Sequence, residues 1–233
     1  MKKLLISALL VLVVGFVVAQ DQQKNTSENK FGEFGENFKM GLGLFSDIWV
    51  NMPEDLETSW FNRGFSVNGM YNFQLGESSI HFGVGAELSS HNLYMKNTLN
   101  LTPATGEYKF SKIPSGRAYD YSKVNVTYVD VPFELRIISK IGIHVNPGFK
   151  VGYLISNGTK YKGTEVLEDY NAITVTQKVK NLPYFNSYRY GPTLRIGYKW
   201  INLTAYYQLS TLFEKGHGSS MAPVSVGIAV IPF

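Results

Sequence analysis

Cysteine is absent from the 233 residues, which excludes disulfide scaffolds, thiolate metal sites, cysteine nucleophiles and a lipidated N-terminal cysteine. Charge is sparse: Asp, Glu, Lys and Arg make up 17% of the chain, while aromatics reach 14%. That balance argues against both a disordered chain and a helical, Glu/Lys-rich soluble one. The four histidines, His81, His91, His144 and His217, lack H-x-x-x-H or H-x-H spacing, so neither a metal site nor a cofactor is expected. Long apolar runs are missing too, with one exception at the start.

Met1, Lys2 and Lys3 form a basic segment, Leu4 to Val18 an almost unbroken apolar stretch, and Val17-Val18-Ala19 a small-residue end. The stretch is shorter than the roughly 20 residues a spanning helix needs, and the pattern is that of a cleavable signal peptide over 1–19. Its removal takes two lysines away and brings the formal charge from +4 to +2, which makes no case for a nucleic-acid partner. Residues 20–37 are polar and aperiodic and read as a flexible periplasmic tail.

From Phe38 to Phe233 the chain is written in period two, the rhythm of strands with two unlike faces. Eight segments carry it, at about 38–50, 63–75, 79–91, 122–138, 142–156, 184–198, 201–213 and 221–233. In the fourth, Val129, Val131, Phe133, Leu135 and Ile137 alternate with Tyr128, Asp130, Pro132, Glu134 and Arg136. A soluble sandwich also alternates. The connections discriminate, because they run long, short, long, short around the chain. Tight turns at one end and larger loops at the other are the mark of a transmembrane barrel. Lipid offers no hydrogen-bond partner, so strands cross it only in a closed sheet. The reading is therefore all-β: an eight-stranded antiparallel transmembrane up-and-down β-barrel.

Antiparallel partners share a face, so parity fixes each hairpin. Segments four and five both have even-numbered lumen faces, which demands an odd-length turn. Centring it near Lys140 sets Asp130 opposite Lys150, Glu134 opposite Asn146 and Arg136 opposite His144. Aromatics at strand ends suggest two interfacial girdles: Trp49 and Trp60 flank the first outer loop, Tyr121 and Tyr184 begin outer ends, and Trp200 sits at an inner turn. The plainer account is that Tyr and Trp favour strands anyway.

The strand Tyr128-Val-Asp-Val-Pro-Phe-Glu-Leu-Arg136, a short turn, and the glycine-rich Pro147-Gly-Phe-Lys-Val-Gly-Tyr153 resemble the Bacteroidetes-type outer-membrane β-barrel family, often labelled "porin family" despite its narrow barrel. The resemblance implies an outer-membrane location of the Gram-negative type. Phe233 resembles the terminal aromatic that the barrel-insertion machinery recognises, which makes that machinery and outer-membrane lipid the implied partners. Val224, Val226, Ile228 and Val230 have the opposite parity to Phe233, so Pro232 is expected to mark a bulge or bend.

Parity turns Glu87, Asp130, Glu134, Arg136, His144, Lys150, Arg189, Arg195 and Lys199 inward. An eight-stranded barrel is just wide enough for side chains to fill, so these read as a self-neutralising charge network; a narrow ion path is the functional alternative. Glu87, Ser89 and His91 share one face and are similar in composition to the hydrolytic set of lipid A deacylase barrels, but positions two apart lie in a row rather than bonded as nucleophile and base. No catalytic residues are assigned. The loops at 92–121 and 157–183 are basic in excess, with Lys96, Lys109, Lys112, Arg117, Lys160, Lys162, Lys178 and Lys180 against Glu107, Asp120, Glu165, Glu168 and Asp169. That excess suits anionic lipopolysaccharide or simple solvation. Ala172 to Val179 alternates and extends a strand beyond the membrane.

The function expected is non-enzymatic, structural or interactive, with loops that offer possible protein partners a surface. A subunit of a secretion or gliding machine, a small channel and a lipid A-modifying enzyme are the alternatives.

Overall fold

Alternation that puts Leu, Val and Phe on one face and Asn, Ser and Gly on the other can be satisfied only if the two faces meet different solvents. The computed structural model describes residues 37–76, 79–114, 118–166 and 172–231. Of its two units, Met1–Phe38 falls almost wholly outside these residues and Lys39–Phe233 carries the fold. The expected signal peptide, most of the tail, Pro232 and Phe233 lie outside the described residues.

The strands are β1 (Phe38–Val50), β2 (Asn62–Gln74), β3 (Ile80–Met95), β4 (Asn97–Thr102), β5 (Glu107–Lys112), β6 (Tyr119–Ile138), β7 (Ile143–Val166), β8 (Ala172–Lys180), β9 (Tyr188–Tyr198), β10 (Ile201–Tyr207) and β11 (Ala222–Val230). Eight of them close a ring in the order β1-β2-β3-β6-β7-β9-β10-β11, with β11 returning antiparallel to β1. Closure leaves no edge in the ring, which is what allows strands to cross lipid.

The outer surface carries an apolar band. It includes exposed Leu42, Leu44 and Ile48 on β1, Phe133, Leu135 and Ile137 on β6, Phe149 and Val151 on β7, and Val226, Ile228 and Val230 on β11. In water such a surface would aggregate; in a bilayer it meets its proper solvent. The partners between these positions face inward and are mostly polar.

The β6–β7 hairpin corrects the sequence reading by two residues. Parity holds, but Asp130 pairs with Gly152, Lys150 with Pro132 and Glu134 with Gly148. The turn is odd in length and centred on Ile141, because Gly142 takes φ 84° and donates its N–H to Ser139 O at 2.9 Å while Ser139 N–H reaches Ile143 O at 2.7 Å. Only glycine adopts that left-handed conformation without strain. Strand ends also differ from expectation. β9 begins at Tyr188, not 184, and β10 stops at Tyr207 rather than running to 213.

The long connections are folded rather than loose. β4 and β5 form a hairpin, β7 continues outward to pair with β8, and β6 follows β7 outward, with a register shift between Thr127 and Tyr128. These extensions enclose an apolar core of their own, where Trp49, Leu93, Tyr128, Phe185, Phe213 and Met221 pack together.

Candidate functional site

Inward parity on a narrow barrel forces polar side chains from facing strands into contact, and burial then requires that each find a partner. Arg189, on β9, is fully buried. Its Nε donates to Asp130 Oδ1 at 2.7 Å and its Nη2 to Asp130 Oδ2 at 2.5 Å, a bidentate pair across to β6. Nη2 also donates to Ser89 Oγ, and Ser89 Oγ donates to Asp130 Oδ2 at 2.9 Å.

The remaining Arg189 nitrogen, Nη1, lies 2.6 Å from His91 Nε2. Arginine can only donate, so His91 Nε2 accepts, and the ring proton sits on Nδ1, 2.8 Å from Asp47 Oδ2. Ser225 Oγ donates to Asp47 Oδ1 at 2.5 Å. Beside this chain, Lys150 Nζ donates to Glu87 Oε1 at 2.7 Å and stands 3.9 Å from Asp130 Oδ2. Aromatic faces complete the plate: the Arg189 guanidinium lies 4.0 Å from the Tyr128 ring centre, and Lys150 Nζ 4.1 Å from that of Tyr206. Seven of the eight ring strands contribute, so the plate crosses the whole lumen. Gly152, paired with Asp130, carries no side chain because a Cβ there would fall on Asp130 Oδ1.

Nearer the end of the barrel with the tight turns a second, sparser layer holds Arg195 Nη2 at 3.3 Å from Glu134 Oε1 and His144 Nε2 at 2.7 Å from Asn202 Oδ1. Arg136 is half-buried and registers with His81. Between the layers is a cavity of about 50 Å³ lined by Asn68, Glu87, Glu134, Lys150, Arg195 and Tyr206 among others. It has room for a few waters.

The structure thus brings Glu87, Asp130, Lys150 and Arg189 together, and Glu134, Arg195, Arg136 and His144 below them. Lys199 is a correction. It is exposed, because it takes φ 51° in the tight β9–β10 turn, with Nζ 5.4 Å from the Tyr198 ring centre on the outer surface. Sequence reasoning missed Asp47 and Ser225, which register with each other across β1 and β11. Parity alone would have turned Asp47 inward, since its alternates Leu44 and Ile48 are exposed.

One aromatic assignment is corrected as well. Trp49 is 5% exposed and belongs to the outer apolar core, as its shared parity with Asp47 requires. Tyr184 lies before β9 and stacks on His217, ring centres 3.9 Å apart and nearly parallel. Trp60 and Trp200 are exposed, and Tyr121 lies half-buried on the outer wall.

Above the plate the mouth is capped. Tyr108 N–H donates to His217 O at 2.9 Å, and Tyr108 OH donates to Pro183 O at 2.9 Å. The Tyr108 ring stacks on Phe213, with centres 5.1 Å apart. Burial pushes the Tyr108 hydroxyl up to about 12 from its ordinary 10, with Tyr184 nearby adding to the shift. At the rim, Lys96 and Lys112 flank Glu57 and hold its carboxyl below the usual range.

Chemically the site is closed. The Ser89 hydroxyl is directed to Asp130, the His91 lone pair is taken by Arg189, and Glu87 is taken by Lys150. The two hydroxyl–carboxylate contacts in this set, Ser89 with Asp130 and Ser225 with Asp47, are buried and made to carboxylates already held by Arg189 and His91. Among the described residues no group of three or more His, Asp or Glu is placed to hold a metal ion.

A closed ring of eight antiparallel strands with an apolar outside and a packed polar inside agrees with the family model that matches residues 18–213, described as outer membrane protein beta-barrel domain. The chain belongs to this family. The outer membrane protein beta-barrel domain places it in the outer membrane. No curated protein matches. Among solved structures the domain is similar to Ail, the attachment invasion locus protein of Yersinia pestis. In complex with the heparin analogue sucrose octasulfate, Ail is 12% identical with TM-score 0.40, covering 83% of this chain and 97% of the other. A second Ail structure gives 12% identity, TM-score 0.37 and the same coverage.

Proposed function

We propose that this barrel has no catalytic cycle and no conduction path, and that it works as a scaffold that holds its folded extracellular extension for interaction. The observation that carries the reading is the Arg189-centred plate. It links Asp47, Ser89, His91, Asp130 and Ser225 in one hydrogen-bonded chain across the lumen, so water and ions lack a continuous file. The same bonds occupy the groups that a hydrolase would need free. The second support is the outer extension, whose own apolar core fixes its surface. Rigid elements present a binding surface at lower entropic cost than loose loops do.

Planar-bilayer recording of the refolded protein tests the first half: stable unitary current steps would overturn it, and a silent bilayer supports it. Mass spectrometry of lipid A from cells with and without the protein tests the second. Identical spectra are expected, and a loss or gain of an acyl chain that depends on Ser89 and His91 would restore the enzymatic reading.

A further inference from the structure

The outward faces of β6, β7 and β8 carry a feature that neither the lumen nor the cap explains. Lys123 on β6 is the direct partner of Lys160 on β7, and Lys160 is the direct partner of Lys178 on β8. Tyr94 on β3 registers with Lys123 on the other side. Three lysines thus stand side by side on one face of adjacent strands about 5 Å apart. Like charges directly opposite each other in a sheet are destabilising, yet among the described residues none of the three meets a carboxylate. Lys123 Nζ bonds Asn92 Oδ1 at 2.9 Å and, 5.2 Å away, faces the Tyr94 ring. Arg63 also lies 5.2 Å from that ring centre. Lys160 Nζ lies 5.2 Å from the Tyr121 ring centre. The neighbouring Lys162, by contrast, has its own partner in Asp120, at 2.5 Å.

We infer that the Lys123–Lys160–Lys178 row binds the phosphates of an outer-leaflet glycolipid whose acyl chains lie on the apolar wall below. The inference deepens the scaffold reading and rests on it only in placing the working surface outside the lumen.

Two observations select the ligand. The same outward face of β6 continues downward into Val129, Val131, Phe133 and Leu135, the last three of them exposed, so a molecule seated on the lysines meets an apolar wall directly beneath. Height then separates lipid classes. From Val129 to Lys123, at roughly 3.3 Å per residue and a tilt near 40°, the row stands about 15 Å above the last apolar residue. A phospholipid headgroup layer is only about 5–8 Å deep. Phosphates at the height of the lysines are therefore carried on a saccharide. An anion spanning three strands also removes the repulsion that the bare row imposes.

The test uses the purified protein in micelles, titrated with rough lipopolysaccharide bearing a phosphorylated inner core. Binding is expected to weaken with salt, to be lost with the dephosphorylated lipid, and to fall at least tenfold in the triple variant Lys123→Gln, Lys160→Gln, Lys178→Gln. Phosphatidylglycerol vesicles should fail to compete. Unchanged binding in the triple variant, equal competition by phosphatidylglycerol, or equal affinity for soluble inositol hexakisphosphate would each overturn the assignment.

Lys160→Glu supplies a check that misfolding cannot mimic. It replaces two like-charge neighbours with two opposite ones, so without lipid its thermal midpoint should rise by a few degrees while lipopolysaccharide binding falls. A variant that is no more stable and binds as before sinks the inference and leaves the sealed-lumen reading, which is judged by conductance, untouched.

Discussion

Arg189 is the residue on which the lumen turns. Its guanidinium has no solvent contact, and it neutralises Asp130 while fixing the His91 tautomer. Removing one member of such a pair strands the other charge in a dry interior, a change that costs about 3–5 kcal/mol. Arg189→Met should lower stability by that order in urea titrations of the micellar protein, followed by the shift between folded and heat-denatured gel bands. Arg189→Met combined with Asp130→Leu should cost distinctly less than the single change, since no charge is then left unpaired. Equal losses would mean that the plate is not organised around this pair. Tyr108 gives a second residue-scale expectation. Its folded pKa of about 12 lies above the ordinary 10, so the folded state keeps the proton that the unfolded state gives up. The stabilising contribution is whole below pH 10 and is lost as pH rises through 12. The phenolate absorbance difference between the native protein and Tyr108→Phe should titrate near 12; a midpoint near 10 would show the ring to be wet.

Among the elements, the β4–β5 hairpin and the segment following β10 behave as one body. Phe213 is 1% exposed and contacts Tyr108, Phe110 and Phe185, while Asn186 Nδ2 ties Thr211 O and Phe213 O at 2.7 and 2.9 Å. Phe213→Ala leaves a cavity worth about 3–5 kcal/mol. That loss should appear as local opening of the cap, because the membrane-embedded ring shares few of these contacts. Hydrogen exchange should speed up in 97–112 and 208–221 while the amides of β1, β2 and β11 stay protected. Uniform acceleration across all strands would show the cap and the ring to be one cooperative unit.

For the molecule as a whole, the polar plate and the apolar cap are two barriers in series. Deleting the hairpin Asn97–Lys112 should leave a planar bilayer silent, because the plate still crosses the lumen. Replacing Arg189 and Asp130 by Ala should leave it silent as well, because the cap still closes the mouth. Current steps are expected only when both changes are made together. A conducting single variant would show that one barrier alone seals the barrel.

The strand content, the closed barrel and the membrane address were legible in the sequence because period two and the alternation of loop lengths are local properties: each strand reports which of its faces meets lipid, whatever its neighbours are. Parity likewise turned Asp130, Lys150 and Arg189 inward without knowledge of their partners. What tertiary structure alone decided was the pairing. A shift of two residues keeps every face and changes every contact, so parity could not distinguish an Asp130–Lys150 cross-strand pair from the observed Asp130–Gly152 register, which Gly142 sets through its turn. Asp47 and Ser225 lie at opposite ends of the chain and become neighbours only when β11 closes on β1. The cap was hidden for the same reason. Its apolar residues arrive from separate connections, one or two at a time, too thinly to leave a periodic trace, and they become a core only when the closed ring brings those connections over a single opening.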